Sequence, residues 1–406
     1  MTDPEIKSPF VAIACGGTGG HLFPGLAVAG QLKMRGCEVA LLISPKDVDQ
    51  QGARSAHGME IFTLPAVALQ NGNYFSFAGS FWKSWRAAKK IFQARPPDAV
   101  LGMGGFISAP PILAGNAFGA KTFLHESNTI PGRANRFLSR FVDGAFVGFP
   151  EAVARLKARK VITTGTPVRP QFQWGGAAGE PACEDARPAD MARCRTALGL
   201  EPNLPTILVV GGSQGARGLN ELIWSALPLL AKRNWQWLHL AGAGTLERVR
   251  AAYAANGIKA TVKPFLAEMN LALGAATAVV SRAGASSLAE IAAMRLPCLL
   301  VPFPAAADNH QFYNASAFEK TGAAMLLEQK ASTPEMVAAL VAQLVEDEAV
   351  RVKVQSALAQ WHAPKAAEEI AEDILRRVAR QPEKIAHARK KQCGCGHEHG
   401  PAKHAH

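Results

Sequence analysis

Phe10–Ala29, FVAIACGGTGGHLFPGLAVA, joins an apolar run (Phe10–Ala14) to a glycine-rich turn (Gly16–His21) and then to a helix-like stretch near Pro24–Arg35. Strand, glycine turn and helix in that order offer backbone N–H groups and the positive end of a helix dipole to a phosphate or another polar group. The same grammar recurs at Thr206–Val210, followed by GGSQGA at Gly211–Ala216. Two such units predict two nucleotide-binding-type domains facing each other across a cleft. That arrangement suits an enzyme holding a nucleotide donor in one half and an acceptor in the other.

Outward from these loops, short apolar runs alternate with helix-like stretches. In the first half Val39–Ile43, Ile61–Leu64, Ala99–Leu101, Thr122–His125 and Gly144–Val147 have strand character, and Phe81–Ala94 helix character. In the second half Ile207–Val210, Trp237–Ala241, Thr261–Val262, Ala278–Ser281 and Cys298–Val301 have strand character. Such β–α alternation predicts parallel sheets covered by helices on both faces. Ligands of these sheets bind at the carboxyl ends of the strands. GGTGGH, GMGGF (Gly102–Phe106) and His125–Asn128 all fall at such ends. Phe172–Met191, rich in Gly, Ala, Pro and acidic residues, is expected to be a surface loop or linker. Ala338–Leu375 is expected to be helical, with its last helix crossing back onto the first domain.

A chain of 406 residues exceeds one ordinary core, so two domains are expected. At 48% hydrophobic and 19% charged residues the composition is that of a globular protein. No apolar run reaches the ~18 residues needed to span a bilayer. The start MTDPEIKSPF has no apolar centre, so no signal peptide is expected. Five of the seven cysteines (Cys15, Cys37, Cys183, Cys194 and Cys298) have no pairing pattern and are expected to stay reduced in the cytoplasm. The net charge of +12 favours an anionic partner: nucleic acid, lipid headgroups or a pyrophosphate. No known nucleic-acid module is present. The basic end from about Gln381 closes on CGCGHEHGPAKHAH, including Cys393 and Cys395. It is either a flexible tail or a ligand for a soft metal, although its donor spacing matches no structural zinc site.

The first loop is not a dinucleotide fingerprint, which needs G-x-G-x-x-G and an acidic residue closing the second strand. Here that strand ends Ile43–Ser44–Pro45, with Asp47 and Asp49 beyond. Asp47 and Asp49 have the spacing of a metal-binding pair but fall in an expected surface loop. His21, at the end of the loop, is either a general base near neutral pH or a histidine bonded to backbone. His125–Asn128 places two titratable groups and an amide at another strand end; the Asn128 amide suits sugar hydroxyls. Arg169, at the expected domain junction, offers a fork to a diphosphate or a junction ion pair. In Arg282–Glu290, Glu290 could accept from a ribose diol, yet Ser287-x-x-Glu290 is also a capping box. Gln311 is a candidate contact to the donor sugar. Tyr74, Phe75, Phe77, Phe81, Trp82 and Trp85 lie among Lys83, Arg86, Lys89 and Lys90. They suit either a membrane headgroup surface or the core face of an amphipathic helix.

Seven segments in order, GGTGGHLFPGLAVA (16–29), GMGGFISAP (102–110), HESN (125–128), GTPVR (165–169), GGSQGARGLN (211–220), RAGASSLAE (282–290) and VPFPAAADNHQFYNA (301–315), resemble the MurG family. The resemblance runs from about residue 9 to residue 378. It implies a GT-B fold, two Rossmann-like α/β domains across a cleft: 1–168 for the acceptor and membrane, 169–360 for the UDP-sugar, helix 361–380 returning to the first, and 381–406 as a tail. It implies inverting transfer of N-acetylglucosamine from UDP-N-acetylglucosamine to the C4 hydroxyl of N-acetylmuramic acid in lipid I, giving lipid II, with no cofactor and no metal. By motif match, Thr18, Gly19, Gly20, Asn128, Arg169, Ser213, Leu266, Ala285, Ser286, Ser287, Leu288, Ala289, Glu290 and Gln311 contact the donor. Glu290 would hold the ribose and Leu266 lie beside the uracil. Gly104 and Gly105 face the acceptor pyrophosphate, and His21 is the expected base with Glu126 second. The implied partners are the two substrates, an anionic membrane surface and a cell-wall synthesis complex, with no nucleic acid; the implied place is peripheral, on the cytoplasmic face of the inner membrane. Ser127 stands where Gln is frequent, Thr166 where Asn is frequent, and Ala66–Asn73 lacks the basic residues often found there. A UDP-N-acetylglucosamine 2-epimerase and a non-catalytic UDP-sugar-binding membrane scaffold are the competing readings.

Overall fold

A computed structural model describes residues 8–46, 49, 50, 52, 56, 58–65, 74–172, 187–212 and 215–380, with backbone only at 74–76 and 187–189. Asp47, Ser213, the bulk of the 172–191 segment and the Cys/His tail lie outside the described residues.

The first sheet holds β1 (Phe10–Ala14), β2 (Glu38–Ile43), β3 (Glu60–Thr63), β4 (Ala99–Gly102), β5 (Lys121–Glu126), β6 (Gly144–Val147) and β7 (Val161–Thr163). Their spatial order is β3-β2-β1-β4-β5-β6-β7, and every pairing is parallel. The second sheet holds β8 (Thr206–Val210), β9 (Gln236–Leu240), β10 (Ala260–Lys263), β11 (Ala278–Ser281), β12 (Cys298–Leu300) and β13 (Met325–Leu326). Its order, β10-β9-β8-β11-β12-β13, is also fully parallel. In both sheets the order reverses at the strand that enters a glycine loop, β1 or β8. That reversal opens a crevice at the carboxyl ends of the strands.

Successive residues of β1 face opposite sides of the sheet, so both faces must be apolar. Val11 and Ile13 pack with Leu22, Val28 and Leu32 of α1 (Gly19–Met34). Ala12 and Ala14 pack in the layer of α2 (Tyr74–Ala94), α3 (Ala109–Ala117) and α4 (Arg133–Leu138), through Phe92, Ile112 and Leu138. The second sheet is covered by α5 (Arg187–Ala197), α6 (Arg217–Leu230), α7 (Leu246–Ala255), α8 (Met269–Ala275), α9 (Ala285–Ala293), α10 (His310–Lys320), α11 (Pro334–Glu346) and α12 (Glu348–Ala359). The last helix, α13 (Ala366–Ala379), lies against α1, with Ile370 and Ile374 in the first core. Arg35 holds it through Glu368 and Glu372 at 3.0 and 2.9 Å, and Arg377 donates to the Asp143 carbonyl at 3.0 Å. Where the chain crosses, Phe318 and Trp361 stack at 4.4 Å with Phe149 tilted against both.

Three elements differ from expectation. α1 begins at Gly19, five residues ahead of Pro24, because two glycines form its first turn without a side-chain cap. α5 begins at Arg187, inside the stretch expected to be a linker; its Pro188 sits in the first turn, where a missing N–H costs no helical bond. The helical stretch after Ala338 is three helices. Asp347 starts the second of them, its carboxylate accepting from Val350 N at 3.1 Å, while residues 360–365 separate the second from the third.

α1 lies so close to β1 that a β-carbon on Gly25 would come 2.4 Å from Cys15 Cβ. Gly25→Ala is therefore expected to destabilise the protein by about 2 kcal/mol, as overpacking does, despite alanine's better helix propensity. Urea unfolding of the variant against the wild type checks this; an unchanged or higher midpoint would contradict it.

Candidate active site

The cleft is lined first by the GGTGGH loop. Gly16 has no room for a side chain, since a β-carbon would stand 2.5 Å from Ser44 N and 2.8 Å from Asp49 Oδ2. Asp49, expected in a surface loop, is fully buried. Its Oδ2 accepts from Gly17 N at 2.6 Å, from Ser44 N at 3.3 Å and from the Ser44 hydroxyl. A buried carboxylate is stable only when donors surround it, and here the loop's own amide is one of them. Lys46 Nζ donates to the Gly17 carbonyl at 2.9 Å, which puts a cation beside the loop.

The His21 ring lies on the second glycine pair. Gly104 has φ +108°, and a β-carbon there would meet His21 Cε1 at 2.9 Å and Nδ1 at 3.0 Å. Only glycine satisfies both the backbone conformation and the ring contact. Burial pushes the His21 pKa below its ordinary value, against the opposing pull of the Glu126 carboxylate and the Met103 backbone. That shift favours the uncharged ring, whose Nδ1 has no hydrogen-bond partner among the described residues. His125, its neighbour at the end of β5, is fully buried, and burial takes its pKa down to about 4. It is tied to the Gly165 carbonyl at 3.2 Å and Ser127 Oγ at 3.3 Å.

Glu126 is buried and takes four hydrogen bonds: Asn128 N and Nδ2 on Oε1 at 2.9 and 3.0 Å, Gly132 N and Asn135 Nδ2 on Oε2 at 3.0 and 2.9 Å. Both oxygens are engaged in shaping the 126–135 turn. Asn128, so held, accepts from Asn314 Nδ2 of the second domain at 3.0 Å.

The opposite wall is the start of α9 with the face of α10. Gly284 is the N-cap of α9, and no side chain caps it. The Ser287–Glu290 capping box is therefore not formed, because the helix starts at Ala285 and Ser287 already lies within it. Ser286 Oγ donates to the Gly20 carbonyl at 2.8 Å across the cleft. Glu290 faces Arg169 at 3.7 Å, and the Arg169 guanidinium lies over the Phe23 ring at 3.9 Å. Burial raises the Glu290 carboxyl to about 7, partly offset by Arg169. Gln311 Oε1 accepts from Ala283 N and Phe303 N at 3.2 and 3.0 Å, joining the loops after β11 and β12.

Thr18, Gly19, Gly20, His21, Gly104, Gly105, Glu126, Asn128, Arg169, Ser286, Glu290 and Gln311 thus gather around one cleft. Leu266 and Leu288 differ: their side chains are buried in the second core, so any ligand contact of theirs is through backbone. Phe265, beside Leu266, is the exposed ring of that pair. Asn314 and Asp308 went unread in the sequence although both lie in the 301–315 segment. Asn314 is one turn beyond Gln311 and shares its helix face. Its Oδ1 accepts from Thr129 N and Oγ1, each at 2.9 Å, and its Nδ2 donates to the Ala283 carbonyl at 3.1 Å as well as to Asn128. Asp308 pairs with Arg136 at 2.7 Å and Arg133 at 3.8 Å from across the cleft.

The chain matches the Glycosyltransferase family 28 N-terminal domain over residues 11–147 and the family 28 C-terminal domain over residues 206–373. The UDP-N-acetylglucosamine–N-acetylmuramyl-(pentapeptide) pyrophosphoryl-undecaprenol N-acetylglucosamine transferase of Citrifermentans bemidjiense is 36% identical over 371 residues, spanning 87% of this chain and 96% of that protein. The chain belongs to the MurG family. The crystal structure of Acinetobacter baumannii MurG superposes with a TM-score of 0.67 at 28% identity, covering 91% of this chain and 100% of that one. A UDP-N-acetylglucosamine 2-epimerase structure superposes almost as well, TM-score 0.66, but at 13% identity it shares the fold alone. Membership in the MurG family makes the chain a glycosyltransferase of GT-B architecture rather than an epimerase.

Because Glu290 titrates near 7, its charge is present above that pH and lost below it. If the ionised carboxylate accepts from a ribose diol, UDP affinity should fall on going from pH 8 to pH 6, with a limiting slope of about tenfold per pH unit. Calorimetric titration of UDP checks this, and Glu290→Gln should flatten the dependence.

Proposed function

We propose that the chain transfers N-acetylglucosamine from UDP-N-acetylglucosamine to the C4 hydroxyl of N-acetylmuramic acid in lipid I, with inversion, forming lipid II. The observation that carries the reading is the His21 ring seated on Gly104–Gly105, next to the Gly20 carbonyl that meets α9 through Ser286. A base, an anion-binding helix start and a ribose-accepting carboxylate are thus held around one cleft.

In this mechanism His21 removes the acceptor C4 proton while that oxygen attacks the anomeric carbon. The bond from the anomeric carbon to the diphosphate breaks in the same displacement, so no covalent sugar–enzyme intermediate forms. The first-turn amides of α9 and the Arg169 guanidinium receive the charge that develops on the leaving UDP. Glu290 holds the ribose, and Gln311 and Asn128 orient the donor sugar. The amides of the two glycine loops in the first domain, with Lys46 nearby, take the acceptor pyrophosphate. Glu126 is assigned to positioning, since four donors already claim its oxygens. On this reading residues 1–168 with α13 form the acceptor side and residues 169–360 the donor side.

A bilayer-seated acceptor needs a membrane-facing surface, and the α2–α3–α4 layer supports one. Trp82 is 54% exposed and stacks on Trp85 at 4.8 Å, with Lys89 over the Trp85 ring at 5.2 Å. Phe137 and Phe141, 53% and 47% exposed, pair at 5.2 Å beside Arg133, Arg136 and Arg140. Exposed rings flanked by cations fit the headgroup region of an anionic bilayer. The inner face of α2, with Ala88 and Phe92, is core. These exposed rings and cations support a peripheral position on the cytoplasmic face of the inner membrane, within reach of a cell-wall synthesis complex. No helix among the described residues is long and apolar enough to cross a membrane.

Radiolabel transfer from UDP-N-acetylglucosamine to a short-chain lipid I analogue tests the chemistry. His21→Ala should lower kcat by about 10²-fold or more, and EDTA should leave the wild-type rate intact. Donor epimerisation or bare UDP release without transfer would refute the assignment. For the surface, wild-type protein should co-sediment with phosphatidylglycerol vesicles, and Trp82→Ser with Phe137→Ser should release most of it. Equal sedimentation of the double variant would move the contact elsewhere.

A further inference from the structure

Pro24 is the sixth residue of α1 and is buried inside it. A proline in a helix interior ordinarily costs about 3 kcal/mol, because it gives no N–H to the carbonyl four residues earlier and its ring pushes that carbonyl aside. The carbonyl four residues before Pro24 is that of Gly20, which the helix therefore cannot claim through residue 24. In the folded protein it takes the Ser286 hydroxyl at 2.8 Å, from the first turn of α9 in the other domain. The surroundings suit this use. Gly19 and Gly20 have no β-carbons to block the approach, and one added to Gly20 would lie 3.5 Å from Ser286 Oγ. Other contacts across the cleft join two side chains, as at Asn314–Asn128 and Asp308–Arg136, or use a main-chain donor, as Thr129 N does toward Asn314. At Gly20 a main-chain acceptor of the first glycine loop is offered directly.

We infer that Pro24 is a positioning residue: it keeps the Gly20 carbonyl out of the helical ladder so that this oxygen can accept a hydroxyl across the cleft. The hydroxyl of Ser286 is the one that takes it. The bond sets the start of α9, with its first-turn amides, against the first glycine loop and the adjacent His21. A helix with an ordinary residue at position 24 would draw the carbonyl inward, leaving the Ser286 hydroxyl without its partner. The proline is thus a local helix defect with a purpose on the opposite wall.

The inference rests on the donor reading of this cleft, and a double-mutant cycle on full-length protein separates the two. Pro24→Ala restores a backbone N–H, and Ser286→Ala removes the hydroxyl. Donor kcat/KM, UDP affinity by calorimetry and the thermal midpoint are measured for wild type, both single variants and the pair. Each single variant should lose about tenfold in donor kcat/KM, the loss of one well-placed hydrogen bond. The double variant should be no worse than the poorer single, because both changes remove the same contact. Pro24→Ala should hold or raise the thermal midpoint while losing activity, a combination that a purely structural proline does not produce. Strictly multiplicative losses in the cycle, or wild-type kcat/KM in Pro24→Ala, would overturn the inference. Should Pro24→Ala fail to fold, Pro24→Ser takes its place in the cycle. Wild-type protein that binds no UDP would instead refute the donor reading itself.

Discussion

The absence of space around the first glycine loop is the constraint on which the rest depends. A side chain at Gly16 would strike Ser44 and Asp49, and one at Gly25 would strike Cys15. Bare glycine backbone therefore packs directly on its neighbours where β1 gives way to α1, on Ser44 N and the Asp49 carboxylate at Gly16 and on the Cys15 side chain at Gly25. From that seat His21 reaches Gly104 and Gly105, and the Gly20 carbonyl reaches Ser286. The buried Asp49 carboxylate completes the seat by accepting the Gly17 amide. Close packing of this kind transmits small changes directly, since a dense interior has few voids to absorb them.

The contacts across the cleft are of another kind. They are polar and few: Ser286 with Gly20, Asn314 with Asn128 and Thr129, Asp308 with two arginines. Bonds of this sort are worth about 1 kcal/mol each and exchange readily with water or ligand. Near the chain crossing, by contrast, Phe149, Phe318 and Trp361 form an aromatic contact. Firm apolar packing at one end and exchangeable polar contacts at the other favour relative motion of the two sheets. A cleft that must admit a sugar nucleotide and then surround it needs that combination.

Electrostatic roles in the site are separated by environment rather than by residue type. His21 is desolvated, which favours the uncharged ring and suits a base. Glu290 is largely but not fully buried, has one loosely placed cation and titrates near neutrality. Glu126, also buried, is surrounded by four donors and shapes a turn. Two glutamates of the same cleft thus differ in environment, because one has a full set of donors and the other only the Arg169 guanidinium beside it.

Much of the fold was legible locally. Apolar runs long enough to fill both faces of a parallel sheet announce themselves, and glycine pairs at their ends mark places where backbone must come close. The strands β1, β2, β4, β5, β6, β8, β9, β11 and β12 were visible for that reason, whereas β7 and β13, with three and two residues, carry too little pattern. Of the cleft residues, those in glycine-rich or motif segments were identified, His21 and Glu290 among them. Asp49 reads as surface in the sequence yet is buried, Asn314 and Asp308 carry no local signal of their roles, and the expected donor contacts of Leu266 and Leu288 fall to their backbone because both side chains are in the core. The sequence by itself determined the two Rossmann-like units, their glycine loops and the family, because periodicity and turn geometry are written in neighbouring residues. Only the tertiary structure decided which polar groups meet, because the partner of a side chain such as Asn314 lies 185 residues away and is chosen by how two finished domains pack.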